Sequence, residues 1–215
     1  MKILNLYAGI GGNRKLWGDT HEITSVEYRE DIAAVYRHYF PGDTLIVGDA
    51  HQYLLDHYKE FDFIWASPPC QTHSRARFWG SKNNDNVETK YPDMKLWQEI
   101  IFLKHYFDGQ WVVENVKPFY SALIPPNKIH GKHFFWSNFK IKNFKSEKSI
   151  KRVDENPDNF KKELGFDLSN FKIGIRKTQV YRNCVHPETG LHILNCAQGI
   201  FEQKQTNQIS AFPDL

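Results

Sequence analysis

Over the first 120 residues short apolar runs alternate with amphipathic stretches, and that alternation narrows the possible folds more than any other feature of the chain. The apolar runs predict strands over residues 2–7, 22–27, 44–47, 61–66 and 111–114. Between them Ile32, Ala33, Val35, Tyr36, Tyr39 and Phe40 fall on one helical face, and Leu96, Trp97, Ile100, Ile101, Leu103 and Phe107 fall on another. Strands separated by helices in this way build a doubly wound, mostly parallel α/β sheet. Ligands bind such sheets at the carboxyl ends of the strands, so the residues just past each apolar run are the ones to inspect.

The chain has 215 residues, enough for one well-buried α/β core and a small appendage. With 40% hydrophobic and 15% aromatic residues it lies outside the disordered regime. Its net charge of +3 is modest but unevenly spread. Residues 128–182 hold 14 Lys/Arg against 6 Asp/Glu, a surplus of eight, which leaves 14 against 19 elsewhere, a deficit of five. The expected organisation is an α/β domain over residues 1–127, a small basic region over 128–182, and a carboxyl-terminal segment, 183–215, with a helix at 191–201 packing back on the first domain. Taken alone, the basic region could equally be a lysine-rich solvated surface. Residues 71–92 and 143–170 carry turn chemistry and little periodicity, so the first is expected to be a long mobile loop and the second irregular. Cys70, Cys184 and Cys196 cannot all pair within the chain, no apolar run approaches the roughly 20 residues of a membrane span, and Met1 leads directly into a strand-like run. The expectation is an intracellular monomer with free thiols, no membrane and no metal.

Three strand ends carry chemistry. Leu4-Asn5-Leu6-Tyr7-Ala8-Gly9-Ile10-Gly11-Gly12 reads as a strand, a glycine-rich turn that lets backbone approach a ligand, and then a helix start with free N–H groups. The second and third strands end at Glu27, which can hold ribose hydroxyls, and at Asp49, which can accept from an adenine amino group. Singly, each acid is as well explained as a strand-end or capping residue; the ordered set of three points to an adenosyl ligand. Past the fourth run, Ala66-Ser67-Pro68-Pro69-Cys70-Gln71 is stiffened by two prolines and presents a cysteine at the ligand face. A nucleophilic thiol needs such exposure and a lowered pKa. Trp111-Val112-Val113-Glu114-Asn115-Val116 delivers a carboxylic acid to the same edge, where burial can keep it protonated and ready to bond a ring nitrogen.

With these motifs in that order, the chain resembles the cytosine-5 DNA methyltransferase family, in particular its compact phage-type members. Tyr7 stands where the family commonly has Phe, and Pro68-Pro69-Cys70-Gln71 with Ser74, together with Glu114-Asn115-Val116, makes a specific pair. Gly131-Lys132-His133-Phe134-Phe135-Trp136 and Arg182-Asn183-Cys184-Val185-His186-Pro187 add weaker likeness. The resemblance implies that Cys70 adds to C6 of a flipped cytosine, that Glu114 hydrogen-bonds N3 and the amino group, and that Asn115 and Lys132 complete the catalytic set. It implies an S-adenosylmethionine site formed by Tyr7, Ala8, Gly9, Ile10, Gly11, Gly12, Glu27, Tyr28, Asp49, Ala50 and Pro68. Double-stranded DNA would be the partner, held by Gln71, Ser74, Arg75, Lys151 and Arg152, in the cytoplasm of a bacterial or phage-infected cell, with a role such as restriction-modification. The family's Gln-x-Arg-x-Arg motif falls at Lys128-x-His130-x-Lys132, and its carboxyl-terminal cofactor motif, Gly-Asn followed by small apolar residues, has no match in Gln205-Thr206-Asn207-Gln208-Ile209. Three alternatives remain: methylation of cytosine in RNA with the same residues; a silent DNA-binding homologue, disfavoured by Cys70 and Glu114; and a nicotinamide oxidoreductase, which would leave Pro68-Pro69-Cys70 unexplained.

Overall fold

A computed structural model describes residues 1–82, 88, 90–144 and 156–200. Seven strands form one sheet in the order β3-β2-β1-β4-β5-β7-β6. Strands β1 (Lys2–Leu6), β2 (Glu22–Glu27), β3 (Thr44–Val47), β4 (Phe63–Ala66) and β5 (Gln110–Val116) run parallel, while β7 (His133–Ser137) runs antiparallel to β5 and forms a hairpin with β6 (Lys128–His130). This is a mostly parallel, Rossmann-like methyltransferase sheet flanked by helices, as the alternating pattern predicts. The first two strands of the expected basic region, β6 and β7, thus belong to the sheet.

Every residue of β4 is buried, because both faces of the sheet are covered. Leu4, Leu6, Ile64 and Val113 face α2 (Ala50–His57) and α4 (Lys95–Tyr106) through Leu54, Leu96, Trp97 and Ile100. Ile3, Phe63, Trp65 and Val112 face the other way, onto Trp17 and onto Ile193 and Leu194 of α7 (Pro187–Ala197). Helix α1 (Glu30–Tyr39) buries Ile32 and Val35 against Phe160 and Leu164 of α5 (Pro157–Leu164) and Val180 of α6 (Lys177–Arg182). The expected helical faces hold except at Ile101, which is half exposed.

The helix expected after the glycine-rich turn is absent, and residues 12–17 form successive turns. A buried polar chain holds them there: Asn13 donates to Asn5, Asn5 to Ser25, Ser25 to Tyr36, Tyr36 to Asp43, and Arg14 clamps Asp43 through two guanidinium nitrogens at 2.8 and 2.9 Å. Each member satisfies the next, so the network specifies this conformation over a helix that would pull Asn13 and Arg14 away. Helix α7 covers this side of the sheet. A Cβ on its Gly190 would lie 2.2 Å from the Asn13 carbonyl oxygen, so only glycine lets the helix seat against the turn.

Two segments expected to be irregular contain helices. Asn156-Pro157-Asp158 reads as a turn, but Asn156 caps α5 by accepting from the Asp158 N–H with Pro157 in the first turn, and Gly165 ends the helix at φ 69°. Within 71–92 lies α3 (Arg75–Lys82); residues 83–87 and 89 of the expected loop lie outside the described residues. Helix α7 begins four residues before the expected 191, at Pro187 with His186 as its cap. Among the described residues no helix is long and apolar enough to cross a membrane, and no group of three or more His, Cys, Asp or Glu could hold a metal ion.

Candidate active site

Strands β1, β2, β4 and β5 end on one side of the sheet, around a cleft of about 330 Å³. Its floor is the chain leaving β4. The Asn115 side-chain amide, on a residue 1% exposed, donates to the Pro68 carbonyl at 2.9 Å, while its oxygen accepts the Val116 N–H. Prolines have no N–H to anchor, so a carbonyl is the handle this loop offers, and Asn115 holds it from the neighbouring strand. The His73 N–H bonds the Cys70 carbonyl at 3.1 Å and closes the turn. Ala66 pairs with Val113, so Glu114 comes one residue beyond the end of β4, beside the loop. Glu114 is buried and faces the same cleft as Cys70.

The thiol is not poised as a thiolate. Burial pushes Cys70 up to about 11, the Glu114 charge pushes the same way, and Lys132 opposes them. A lowered pKa, expected of a nucleophile, is therefore not a property of this resting arrangement. Lys132 acts from the β6–β7 turn, where its carbonyl accepts the Lys117 N–H; its side chain does not line the cleft, whereas that of His133 does.

The other wall is the glycine-rich turn. Tyr7 ends β1 in a left-handed conformation, φ 57°, costly for a residue with a side chain. Its hydroxyl donates to Glu99, fully buried on α4, which also bonds His51 Nδ1 at 2.9 Å. Burial raises the pKa of both Tyr7 and Glu99, and the Glu99 hydrogen bond raises that of His51. Glu27 accepts from the Gly9 N–H at 3.0 Å and the Arg29 N–H at 2.9 Å; burial lifts its pKa while those donors pull it down.

Of the residues singled out from sequence, the cleft brings together Tyr7, Ala8, Gly9, Ile10, Gly12, Glu27, Tyr28, Pro68, Cys70, Gln71 and Glu114. Gly11 sits against the rings of Tyr36 and Phe40 instead. Asp49 caps α2, accepting from the His51 and Gln52 N–H groups, and pairs with Lys95 at 3.3 Å; burial raises its pKa but these partners outweigh that and hold it low. Ala50 is buried in the core beneath it. Ser74 and Arg75 begin α3 outside the cleft wall, and Lys151, Arg152 and 205–209 lie outside the described residues.

The sequence reading gave no site role to the wall formed by Ile175, Val180, Arg182, Asn183, Cys184 and Val185, although it marked residues 182–187 as a weaker family likeness. A Cβ on Gly12 would fall 2.1 Å from the Cys184 sulfur and 2.3 Å from the Val185 carbonyl oxygen, so the turn and this segment close on each other with no space to spare. Among the described residues, the segment that meets the glycine-rich turn is Asn183-Cys184-Val185, just before a Pro-initiated helix. Burial pushes the Cys184 thiol up to about 12, and its sulfur packs against Gly12. Geometrically, the arrangement can hold a planar base against Cys70 and Glu114 while a second molecule lies along Tyr7–Gly12 and Glu27.

A model of the family described as C-5 cytosine-specific DNA methylase matches residues 1–123. A curated relative, the tRNA (cytosine(38)-C(5))-methyltransferase of Spodoptera frugiperda, is 29% identical over 131 residues, 57% of this chain. The chain spans 37% of that relative's length. Among solved structures, a triple mutant of Spodoptera frugiperda DNMT2 is 30% identical over 57% of this chain and 37% of that one, with a TM-score of 0.38. The Entamoeba histolytica methyltransferase EhMeth covers 94% of this chain and 99% of its own at a TM-score of 0.54 and 12% identity, a likeness of fold alone. These findings correct the DNA-specific, phage-type reading. The relative modifies cytosine in a transfer RNA, so the expectations of a flipped DNA cytosine, a double-stranded DNA partner, DNA methylation and restriction-modification are overturned.

Proposed function

The chain belongs to the C-5 cytosine-specific DNA methylase family, and from that premise we propose that it transfers a methyl group from S-adenosylmethionine to C5 of a cytosine in RNA of the transfer-RNA class. The observation that carries the reading is that Cys70 and Glu114, from adjacent strand ends, share one cleft with the glycine-rich turn. The substrate class rests on the relative, whose named substrate is cytosine 38 of a tRNA.

The cleft residues fit the cofactor. Glu27 spends one lone pair of each oxygen on a backbone N–H, leaving others for ribose hydroxyls. Ile10, Ile32 and Val180 offer an apolar slot for a purine, and Tyr28, 76% exposed, stands at its mouth. When bound, S-adenosylmethionine supplies the methyl group that C5 accepts.

Cys70 sulfur forms a bond to C6 as its S–H proton passes through Glu114 to N3, and the ring electron pair moves to C5. The Glu114 charge opposes ionisation of Cys70, and a base hydrogen-bonded to Glu114 takes up part of that charge, so substrate binding favours the thiolate. Once C5 carries the methyl group its proton leaves to solvent, the C5–C6 double bond re-forms, and the Cys70 sulfur is expelled and takes its proton back from N3 through Glu114. Lys132 opposes the Glu114 effect throughout.

The test is tritiated-methyl transfer to transfer RNA, with duplex DNA as competitor. Incorporation into RNA as 5-methylcytosine, undiminished by DNA and absent in Cys70→Ala, is expected. Incorporation into DNA alone would overturn the substrate class, and incorporation by Cys70→Ala would overturn the mechanism.

A further inference from the structure

Five of the six tryptophans are core residues: Trp17, Trp65, Trp97, Trp111 and Trp136 are at most 4% exposed. The sixth, Trp79, is 55% exposed. It sits on α3, which starts five residues after Cys70, and the chemistry described above makes no use of it.

Helix α3 and the residues just before it are pinned to the chain that follows β5. Ser74 bridges to Pro118, the Phe119 N–H bonds the His73 carbonyl at 3.0 Å, and His73 Nδ1 meets the Tyr120 hydroxyl at 2.6 Å. Phe78 stacks on Phe119 at 4.3 Å with the planes 6° apart. One side of the helix is therefore clamped to the chain that leaves β5 just after Glu114, while Trp79 meets Phe78 edge-on and turns the rest of its ring to solvent. The sequence of α3, Arg75-Ala76-Arg77-Phe78-Trp79-Gly80-Ser81-Lys82, has three cations and no acid. The Lys82 ammonium stands 5.8 and 5.9 Å from the Phe78 and Trp79 ring centres. Exposed Lys117 and Lys132, joined through their backbones at 2.7 Å, extend the positive charge towards Cys70, whose pKa Lys132 lowers.

An exposed indole face among cations fits a polyanion that presents flat apolar faces. A protein partner would use the indole but not the cations Arg75 and Lys82, which form no ion pair among the described residues, and duplex bases are already stacked on one another. Unpaired bases on a phosphodiester chain satisfy both features. We propose that Trp79 is a stacking platform for an unpaired base of the RNA substrate beside the target cytosine, with Arg75 and Lys82 taking the flanking phosphates. The proposal deepens the RNA reading above and rests on it for the identity of the strand.

The buried state of the other five tryptophans makes the test direct, because acrylamide should quench chiefly Trp79. An unpaired oligouridylate and a transfer RNA should each shield Trp79, whereas a fully paired RNA duplex should shield it far less. Trp79→Ala should weaken oligouridylate binding and raise KM for transfer RNA by about tenfold, the scale of one base–aromatic stack. kcat should stay within about threefold, and Trp79→Tyr should recover most of the affinity. Thermal melting checks folding; alanine at an exposed helical position favours the helix. If unpaired RNA binds without shielding Trp79, or if folded Trp79→Ala keeps the parent KM and affinity, the platform is wrong. Shielding by anionic phospholipid vesicles but not by RNA would also overturn it. The quenching arm needs no turnover: a parent that is shielded by oligouridylate yet methylates no transfer RNA would leave the platform standing and sink the functional reading.

Discussion

The two walls of the cleft are built in opposite ways. The wall that carries Cys70 and Glu114 comes from the ends of neighbouring parallel strands, tied by the buried hydrogen bond from Asn115 to Pro68 and by the contacts of His73 and Ser74 with residues 118–120. The wall that would hold the cofactor adds to two such strand ends, residues 7–12 and 27–32, a third piece from far along the chain, 175–185, which meets them where Gly12 touches Cys184 and Val185. A reactive group needs fixed geometry, and adjacent strands deliver it. A site that must admit and release a larger molecule can instead be closed by a segment docked from far along the chain. Damage to the first wall should therefore appear in rate, and damage to the second in affinity.

The largest effect should follow from removing the nucleophile. Cys70→Ala should abolish methyl transfer while S-adenosylmethionine binding, measured by calorimetry, stays within about twofold. A residual rate within tenfold of the parent would break the division between the walls.

Next, Glu114→Gln should lower kcat by roughly 10²–10⁴-fold, the range of a general acid, with a smaller change in RNA affinity. It should also make the thiol more acidic, because the Glu114 charge is one cause of its raised pKa. With a pKa near 11, the parent's iodoacetamide labelling at Cys70, followed by peptide mapping, should climb about tenfold per pH unit between pH 7 and 9. Glu114→Gln should shift that profile to lower pH; an unchanged profile would mean the two groups do not sense each other.

What was legible in the sequence follows the same division. Pro68-Pro69-Cys70-Gln71 and Glu114-Asn115-Val116 are contiguous and sit at ends of apolar runs, so the period of the strands placed them. Glu27 was legible for the same reason. Asp49 looked identical to it, yet its oxygens go to the first turn of α2 and to Lys95. A strand-end acid before a helix satisfies both descriptions, and capping α2 does not exhaust the lone pairs of Asp49. The helix absent after Gly12 could not be foreseen either, since the chain from Asn13 to Asp43 through Asn5, Ser25 and Tyr36 joins residues with no local pattern. Nor could Asn183-Cys184-Val185 be placed without knowing that α7 docks on that turn.

The closing contact offers a sharper probe. Gly12→Ala should force Cys184 and Val185 apart, costing roughly 1–3 kcal/mol of stability by overpacking and weakening cofactor affinity about tenfold, while iodoacetamide labelling at Cys70 keeps its pH profile. Calorimetry with unchanged cofactor affinity would mean the third segment does not close the site.

The smallest effects distinguish the two acids. Glu27→Ala should weaken cofactor binding by roughly 1–3 kcal/mol, the value of a lost hydrogen bond to a polar group. Asp49→Ala should leave that affinity alone and cost about 1 kcal/mol of stability as a lost helix cap. Calorimetry and thermal melting on the pair would reverse these assignments if the losses were exchanged.

The central claim, that Cys70 attacks a cytosine in RNA held in this cleft, is tested most directly by trapping. Transfer RNA carrying 5-fluorocytidine, incubated with the protein and S-adenosylmethionine, should stall after addition, because fluorine at C5 cannot leave as a proton does. A complex that survives denaturation is expected, with the cross-linked nucleotide mapped by mass spectrometry to the peptide containing Cys70 and absent from Cys70→Ala. A stable complex mapped to Cys184 or Cys196, or no complex under conditions where ordinary transfer RNA is methylated, would contradict the claim.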